Sequence, residues 1–249
     1  MKIIDMHTHL GKFAHQLVPG TADELLRAMD RAGIEQACAS SIQGIAYDMI
    51  SGNAEVAREI KGHEDRLHGY VFLSPNYRPQ APEELRRHLD AGFIGLKMYS
   101  GSYVGQPLDC PAHEEYVGLL AEEYPGKIVL FHCGENDPTN YRRLARLANL
   151  FPTVTFLAGH TGSALWRQAL AEFRELPNIL AELSAPVPAR CRVEDCVRAL
   201  GAERVVFGSD WPVSGMAYEL GALHDAEVSE EERARVGYGN GKRLLGAAS

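Results

Sequence analysis

The sequence predicts a (β/α)8 TIM barrel over residues 1–249, as a single domain with a C-terminal helix. Three observations point there. Eight short apolar runs recur along the chain, and helical patterns lie between most of them. Several runs are almost continuously apolar, as in Ile128-Val129-Leu130-Phe131, which is how strands buried on both faces of a parallel sheet read. The length of 249 residues is one that such barrels commonly use as a single unit.

The elements follow in order. Run one is Lys2–Thr8. Thr21 suits an N-cap, with Glu24 three residues on forming a capping box before Leu25, Leu26 and Met29. Gly33 then suits a left-handed C-cap. Run two, Gln36–Ile42, precedes a helix across Ile50–Ile60. Run three, Leu67–Leu73, precedes a helix opened by Pro82-Glu83-Glu84-Leu85, with proline and acids in its first turn and Gly92 at its end. Run four, Phe93–Tyr99, is followed by one of the longest loops, Ser100–Pro111, which carries Tyr103, Gln106 and Asp109 and reads as a lid. A helix across Ala112–Glu123 comes next. Run five, Lys127–Cys133, leads to a helix over Asn140–Leu150, and run six, Val154–Gly159, to one over Ser163–Leu176. Run seven, Ile179–Ser184, leads to a helix over Val193–Leu200 with Gly201 as a further left-handed cap, and run eight is Arg204–Ser209. The mixed-charge stretch Ser229–Arg235 reads as a solvated helical face.

Composition narrows the class. A hydrophobic fraction of 45% supports a sizeable core. The net charge of −8 offers no basic footprint for nucleic acid or a membrane surface. No run approaches the roughly 18 apolar residues of a membrane span, and the N-terminus lacks a signal peptide's apolar core. The five cysteines are odd in number, scattered and without a CxxC, which fits a reducing, cytoplasmic setting. A doubly wound open sheet is the structural alternative, but the glycines of Gly95–Gly101 lack the spacing of a phosphate fingerprint.

The polar residues fall where a barrel keeps its chemistry, at the C-terminal ends of the strands. His7 and His9 lie two residues apart in run one, about 7 Å along a strand and on one face. Two such imidazoles can share one divalent ion. Lys97 stands near the end of run four, His132 ends run five with Cys133 and Glu135 behind it, His160 ends run six, and Asp210 ends run eight in Gly208-Ser209-Asp210-Trp211-Pro212. All of them would face one mouth.

This ordered set resembles the amidohydrolase superfamily, in its "amidohydrolase 2" branch of metal-dependent hydrolases and decarboxylases. The resemblance covers essentially the whole chain, including the closing segment Gly239-Asn240-Gly241-Lys242-Arg243-Leu244-Leu245-Gly246. It implies that His7, His9, His132 and Asp210 bind one divalent ion, Zn²⁺ by preference, with Mn²⁺, Fe²⁺ or Co²⁺ also suited. It implies catalytic roles for Asp210 as general base and for His160 as a donor to the oxygen that gains charge. Some superfamily members carboxylate a lysine on the fourth strand to bridge two metals, whereas this branch usually manages with one. Lys97 is therefore expected to meet a substrate carboxylate or to pair inside the barrel with Glu135 or Glu182. Tyr99 and Trp211 are candidates to line the pocket, and His15 to overhang it. Cys133 reads as a core residue, and His63, His68, His88, His113 and His224 as structural.

The leading function is hydrolysis of a small ester, lactone or amide, with a carboxylate-bearing substrate and a homodimer as further expectations. The runner-up is non-oxidative decarboxylation of a small unsaturated or aromatic acid on the same site. A TatD-type nuclease also begins with HxH, but carries Glu where this chain has Phe93 and a Glu-Thr-Asp segment where it has Gly208-Ser209-Asp210. A barrel that only binds is the non-enzymatic alternative.

Overall fold

The computed structural model describes residues 1–14, 20–101, 103–134, 140–185 and 191–248. The predicted runs form eight strands: β1 (Ile4–Leu10), β2 (Gln36–Ser41), β3 (Leu67–Phe72), β4 (Gly95–Met98), β5 (Ile128–His132), β6 (Thr155–Gly159), β7 (Ile179–Glu182) and β8 (Val205–Val206). They lie in sequence order in one sheet, each parallel to the next. The sheet closes through the segment after β8. Met6 N donates to Phe207 O (2.9 Å), Asp210 N to His7 O (2.8 Å) and His9 N to Trp211 O (2.7 Å).

The helices around the sheet are α1 (Ala22–Ala32), α2 (Ile42–Ala46), α3 (Met49–Ile60), α4 (Ala81–Asp90), α5 (Pro111–Glu123), α6 (Asn140–Leu150), α7 (Trp166–Phe173), α8 (Arg192–Leu200), α9 (Met216–Asp225), α10 (Glu230–Ala234) and α11 (Asn240–Ala248). Inside the barrel, Ile4, Met6, Cys38, Tyr70, Ile128, Leu130, Leu157, Leu180 and Val206 form one buried cluster with Leu244 and Leu245 of α11. The last helix thus stoppers the end where the strands begin, and the opposite mouth is left for chemistry. Among the described residues, no helix is long and apolar enough to cross a membrane.

Strand β1 departs from plain alternation. Its register against β2 slips between Asp5 and Thr8. Such a bulge sets two residues opposite one and re-aims the side chains beyond it. Ile4 and Met6 consequently belong to the interior cluster, while His7 also faces inward, onto Lys97 and Glu182.

Several helix ends differ from expectation. Thr21 caps α1 by accepting from Glu24 N, but the Glu24 carboxylate pairs with Arg27 at 2.8 Å, so only half of that box forms. The complete capping box lies at Ser229 and Glu232, at the head of α10, whose residues are not buried. Gly33 is a left-handed cap (φ 71°, ψ 27°). Gly201 is not: its φ of 81° comes with a ψ of 148°. The chain must pass from α8 through a short 3-10 turn into β8, and that extended positive-φ geometry is essentially glycine's alone. The helix expected from Ser163 begins only at Trp166, because Thr161, Gly162 and Ser163 hold positive φ.

The loop after β4 is fastened rather than free among its described residues. Val104 and Leu108 are buried, Asn76 Nδ2 donates to Val104 O (3.0 Å), Arg143 pairs with Asp109 (2.6 Å), and Tyr103 stacks on Phe13.

Candidate metal centre

The closure of the barrel builds the centre. Because Asp210 N donates to His7 O, the backbone after β8 lies alongside the upper half of β1. Asp210 itself adopts φ 58°, a left-handed conformation that Asp tolerates better than most residues. Its Oδ1 stands 3.0 Å from His9 Nε2 and 3.4 Å from His7 Nε2. The other nitrogen of each ring is also held: His7 Nδ1 donates to Glu182 Oε2 (2.8 Å), and His9 Nδ1 meets Ser40 Oγ (3.0 Å).

Glu182, at the end of β7, is the hub of the network. Its carboxylate accepts from His7 Nδ1, from His160 N (3.0 Å), from Ser184 Oγ (2.8 Å) and from Ser184 N (2.6 Å). Thr161 Oγ1 donates to its carbonyl (2.6 Å). These bonds hold His160 and Thr161 at φ 64° and 46°, conformations that cost energy and persist only where the surroundings impose them. Arg192 adds a clamp, donating from Nη2 to the carbonyls of His160 and Ser184.

The hydrogen bonds assign the tautomer of His160. Ser184 Oγ spends its proton on Glu182, so it accepts from His160 Nδ1 at 3.1 Å, and the Ser184 carbonyl lies 3.3 Å from the same nitrogen. With Nδ1 protonated, Nε2 carries the lone pair. In that tautomer Nε2 of His160 is the ring nitrogen open to accept a proton or to ligate.

Charge is distributed to match. Burial lowers the pKa of His7 and His9, takes His132 well below its ordinary value and brings His160 to about 4, so all four imidazoles are neutral at pH 7. Burial opposes ionisation of Glu182, yet the rings of His7 and His160 and the Ser184 N–H outweigh it and bring its pKa down to about 2. Asp210 is likewise held well below the carboxylate range: burial opposes its ionisation and the hydrogen bond from His9 favours it. Lys97 is lowered to about 8 by burial, against the pull of Asp210 and Glu182. Asp5, raised to about 7 by burial, accepts from His7 N and Ser209 N and ties the bulge to the closing segment.

Among the described residues two groups of ligand atoms emerge, each within 4.8 Å: His7, His9 and Asp210, and His7, His160 and Glu182. The first fits a divalent cation. A tetrahedral shell with ligands about 2.1 Å from the ion has edges of about 3.4 Å, close to the 3.0 and 3.4 Å found here. Neutral imidazole nitrogens with one ionised carboxylate are a common donor set for Zn²⁺ and its neighbours. Carboxylate and hydroxyl partners on the outer nitrogens are the usual support for ligating histidines.

The other expected residues have definite places. His132 stands outside both groups, edge-on to His160 with ring centres 4.8 Å apart. Tyr99 also packs against His132, with ring centres 4.7 Å apart. Trp211 is buried and bridges to Thr8 in the closing ladder. Lys97 is fully buried, with Nζ 2.9 Å from His7 Nε2. Glu135 and His15 lie outside the described residues. Cys133 is buried, its pKa raised by burial, and all five cysteines are free. The sequence reading offers Glu182 only as a partner for Lys97 and does not reach Ser40, Ser184 or Asp5. Their signal was position: each is a buried polar residue within or just beyond a barrel strand.

Comparison with known proteins bears on the family and the fold. A profile described as amidohydrolase matches residues 4–247. An L-fucono-1,5-lactonase from Burkholderia ambifaria is 30% identical over 280 aligned positions, covering 95% of this chain and 93% of its own. A gamma-resorcylate decarboxylase from Polaromonas sp. is 28% identical over 128 residues, 51% of this chain and 36% of its own. Among solved structures, a dihydroxybenzoic acid decarboxylase from Polaromonas sp., with bound manganese and 2-nitroresorcinol, is similar with a TM-score of 0.78 at 18% identity, covering 100% of this chain and 98% of that one.

Proposed function

The chain belongs to the amidohydrolase family of enzymes, and from that premise we propose that it is a metal-dependent hydrolase of a small lactone or ester. His7 Nε2, His9 Nε2 and Asp210 would hold the ion, with His132 as a further ligand. Zn²⁺ suits three histidines and a carboxylate, and Mn²⁺ is the ion bound in the similar decarboxylase structure. When bound, the ion supplies an electrophile for a carbonyl oxygen and makes a nearby water more acidic.

The chain's own residues supply the proton handling. The ionised Asp210 carboxylate is placed to take the proton of the attacking water. His160, with its lone pair on Nε2, is the second acceptor, and the clamp of Glu182, Ser184 and Arg192 keeps that nitrogen oriented. Glu182 fixes His7 so that Nε2 faces Asp210. Tyr99 and Trp211 shape the wall near His132 and β1.

One observation carries this reading: the full-length likeness to a lactonase falls on a chain whose barrel mouth gathers His7, His9 and Asp210. The 28% identity with a decarboxylase over half the chain favours a second reading, loss of CO₂ from a small aromatic acid at the same site. The assay is direct. Purified enzyme is supplied with Zn²⁺ or Mn²⁺ and a panel of sugar lactones and hydroxybenzoic acids, while proton release and CO₂ release are followed together. Protons without gas on lactones are expected. Gas from the aromatic acids with no lactone turnover would replace the first reading by the second.

A further inference from the structure

We propose that Lys97 competes with the divalent ion for Nε2 of His7, and so sets how tightly this centre holds its metal. The inference rests on the metal-centre reading above. His7 Nδ1 donates to Glu182 at 2.8 Å, which leaves Nε2 with a single lone pair. Lys97 Nζ lies 2.9 Å from that nitrogen and donates to it. Asp210 Oδ1, the ligand atom shared with His9, is 3.4 Å from the same nitrogen. An ion held by His7, His9 and Asp210 must take the lone pair that Lys97 occupies. One lone pair cannot serve both.

Burial makes the conflict unavoidable. Lys97 is 0% exposed, in β4 between the buried Leu96 and Met98. Its countercharges are the carboxylates of Asp210 and Glu182, the same groups that a metal would neutralise. An ammonium and a divalent ion side by side in a low-dielectric interior repel strongly. Uptake of the ion therefore requires Nζ to withdraw from His7. A lysine that itself ligated the ion would have the opposite effect on affinity.

The test measures metal binding, with no substrate present. Mn²⁺ is titrated calorimetrically into metal-free wild type, Lys97→Met and Lys97→Gln, each first shown to be folded by circular dichroism. Lys97→Met is unbranched like lysine but one atom shorter, cannot donate to His7, and is expected to bind Mn²⁺ at least tenfold more tightly, with one ion per chain. Affinity equal to or weaker than wild type overturns the proposal, as does loss of the ion from both variants. Should neither variant fold, wild-type crystals soaked in Mn²⁺ decide. Nζ is expected more than 3.5 Å from His7 Nε2 when the ion is present, and a fully occupied ion with that hydrogen bond intact is the overturning result. Failure of the metal-centre reading looks different, since then neither wild type nor the variants take up Mn²⁺, and the competition falls with it.

Discussion

Replacing Glu182 by glutamine keeps the shape of the hub and removes its charge. The wild-type carboxylate accepts from His7 Nδ1, His160 N, Ser184 Oγ and Ser184 N. Glutamine has one oxygen. In its better orientation that oxygen keeps the three bonds at Oε2, and the NH₂ group then faces the N–H of Ser184, donor against donor. The loss is one charge-assisted bond, about 1.5–3 kcal/mol, plus one buried unsatisfied amide, about 1–3 kcal/mol. A total of about 3–5 kcal/mol is expected at pH 7. A second route gives a similar figure. The carboxyl of Glu182 is brought from 4.5 down to about 2, an interval that corresponds to about 3 kcal/mol. A lowered carboxyl pKa stabilises the folded chain above the unfolded value. That contribution fades as pH falls from 4.5 toward about 2. Urea unfolding of the metal-free proteins, followed by tryptophan fluorescence, should therefore show a wide gap between wild type and Glu182→Gln at pH 7 that narrows below pH 4. Mn²⁺ affinity should also drop, by about 10–100-fold, as for other lost supports of a ligating histidine. Equal stability of the two proteins at pH 7, or a gap that does not depend on pH, would refute the hub.

Two further outcomes are expected. Gly208→Ala places a Cβ 2.7 Å from Glu182 Cδ and 2.9 Å from His7 Cβ. Overpacking of about 1–3 kcal/mol in urea unfolding should follow, with Mn²⁺ affinity weakened at least tenfold, whereas Gly221→Ala, whose added carbon meets nothing within 4 Å, should bind as wild type does. Stripping the ion with a chelator should lower the melting temperature. At an ion concentration 100 times the Kd, binding adds about 2.7 kcal/mol, or about 5–10 °C for a chain of this size, and His7→Ala should show no such response to added metal.

The barrel and the convergence of His7, His9 and Asp210 were legible because strand runs buried on both faces leave polar residues only where they have work to do. His7, His9 and Asp210 each interrupt or end such a run, and the fold brings those ends to one rim. Glu182 obeys the same rule, in Ile179-Leu180-Ala181-Glu182, yet a single carboxylate after three apolar residues does not reveal that four donors converge on it. The bulge in β1 was hidden, since register depends on the partner strand and not on Asp5-Met6-His7 alone. The positive φ of His160, Thr161, Ser163 and Asp210 was hidden too. None of these is glycine, and tertiary hydrogen bonds, not local propensity, hold them there.

Sealing the cylinder between its first strand and the segment after its last has a consequence for biosynthesis. His9 and Asp210, hydrogen-bonded to each other, stand 201 positions apart in the chain. A ribosome delivers the two histidines first and the aspartate 201 positions after His9. No nascent fragment lacking Asp210 can assemble the trio, so an ion captured by all three side chains would mark a barrel that has already closed.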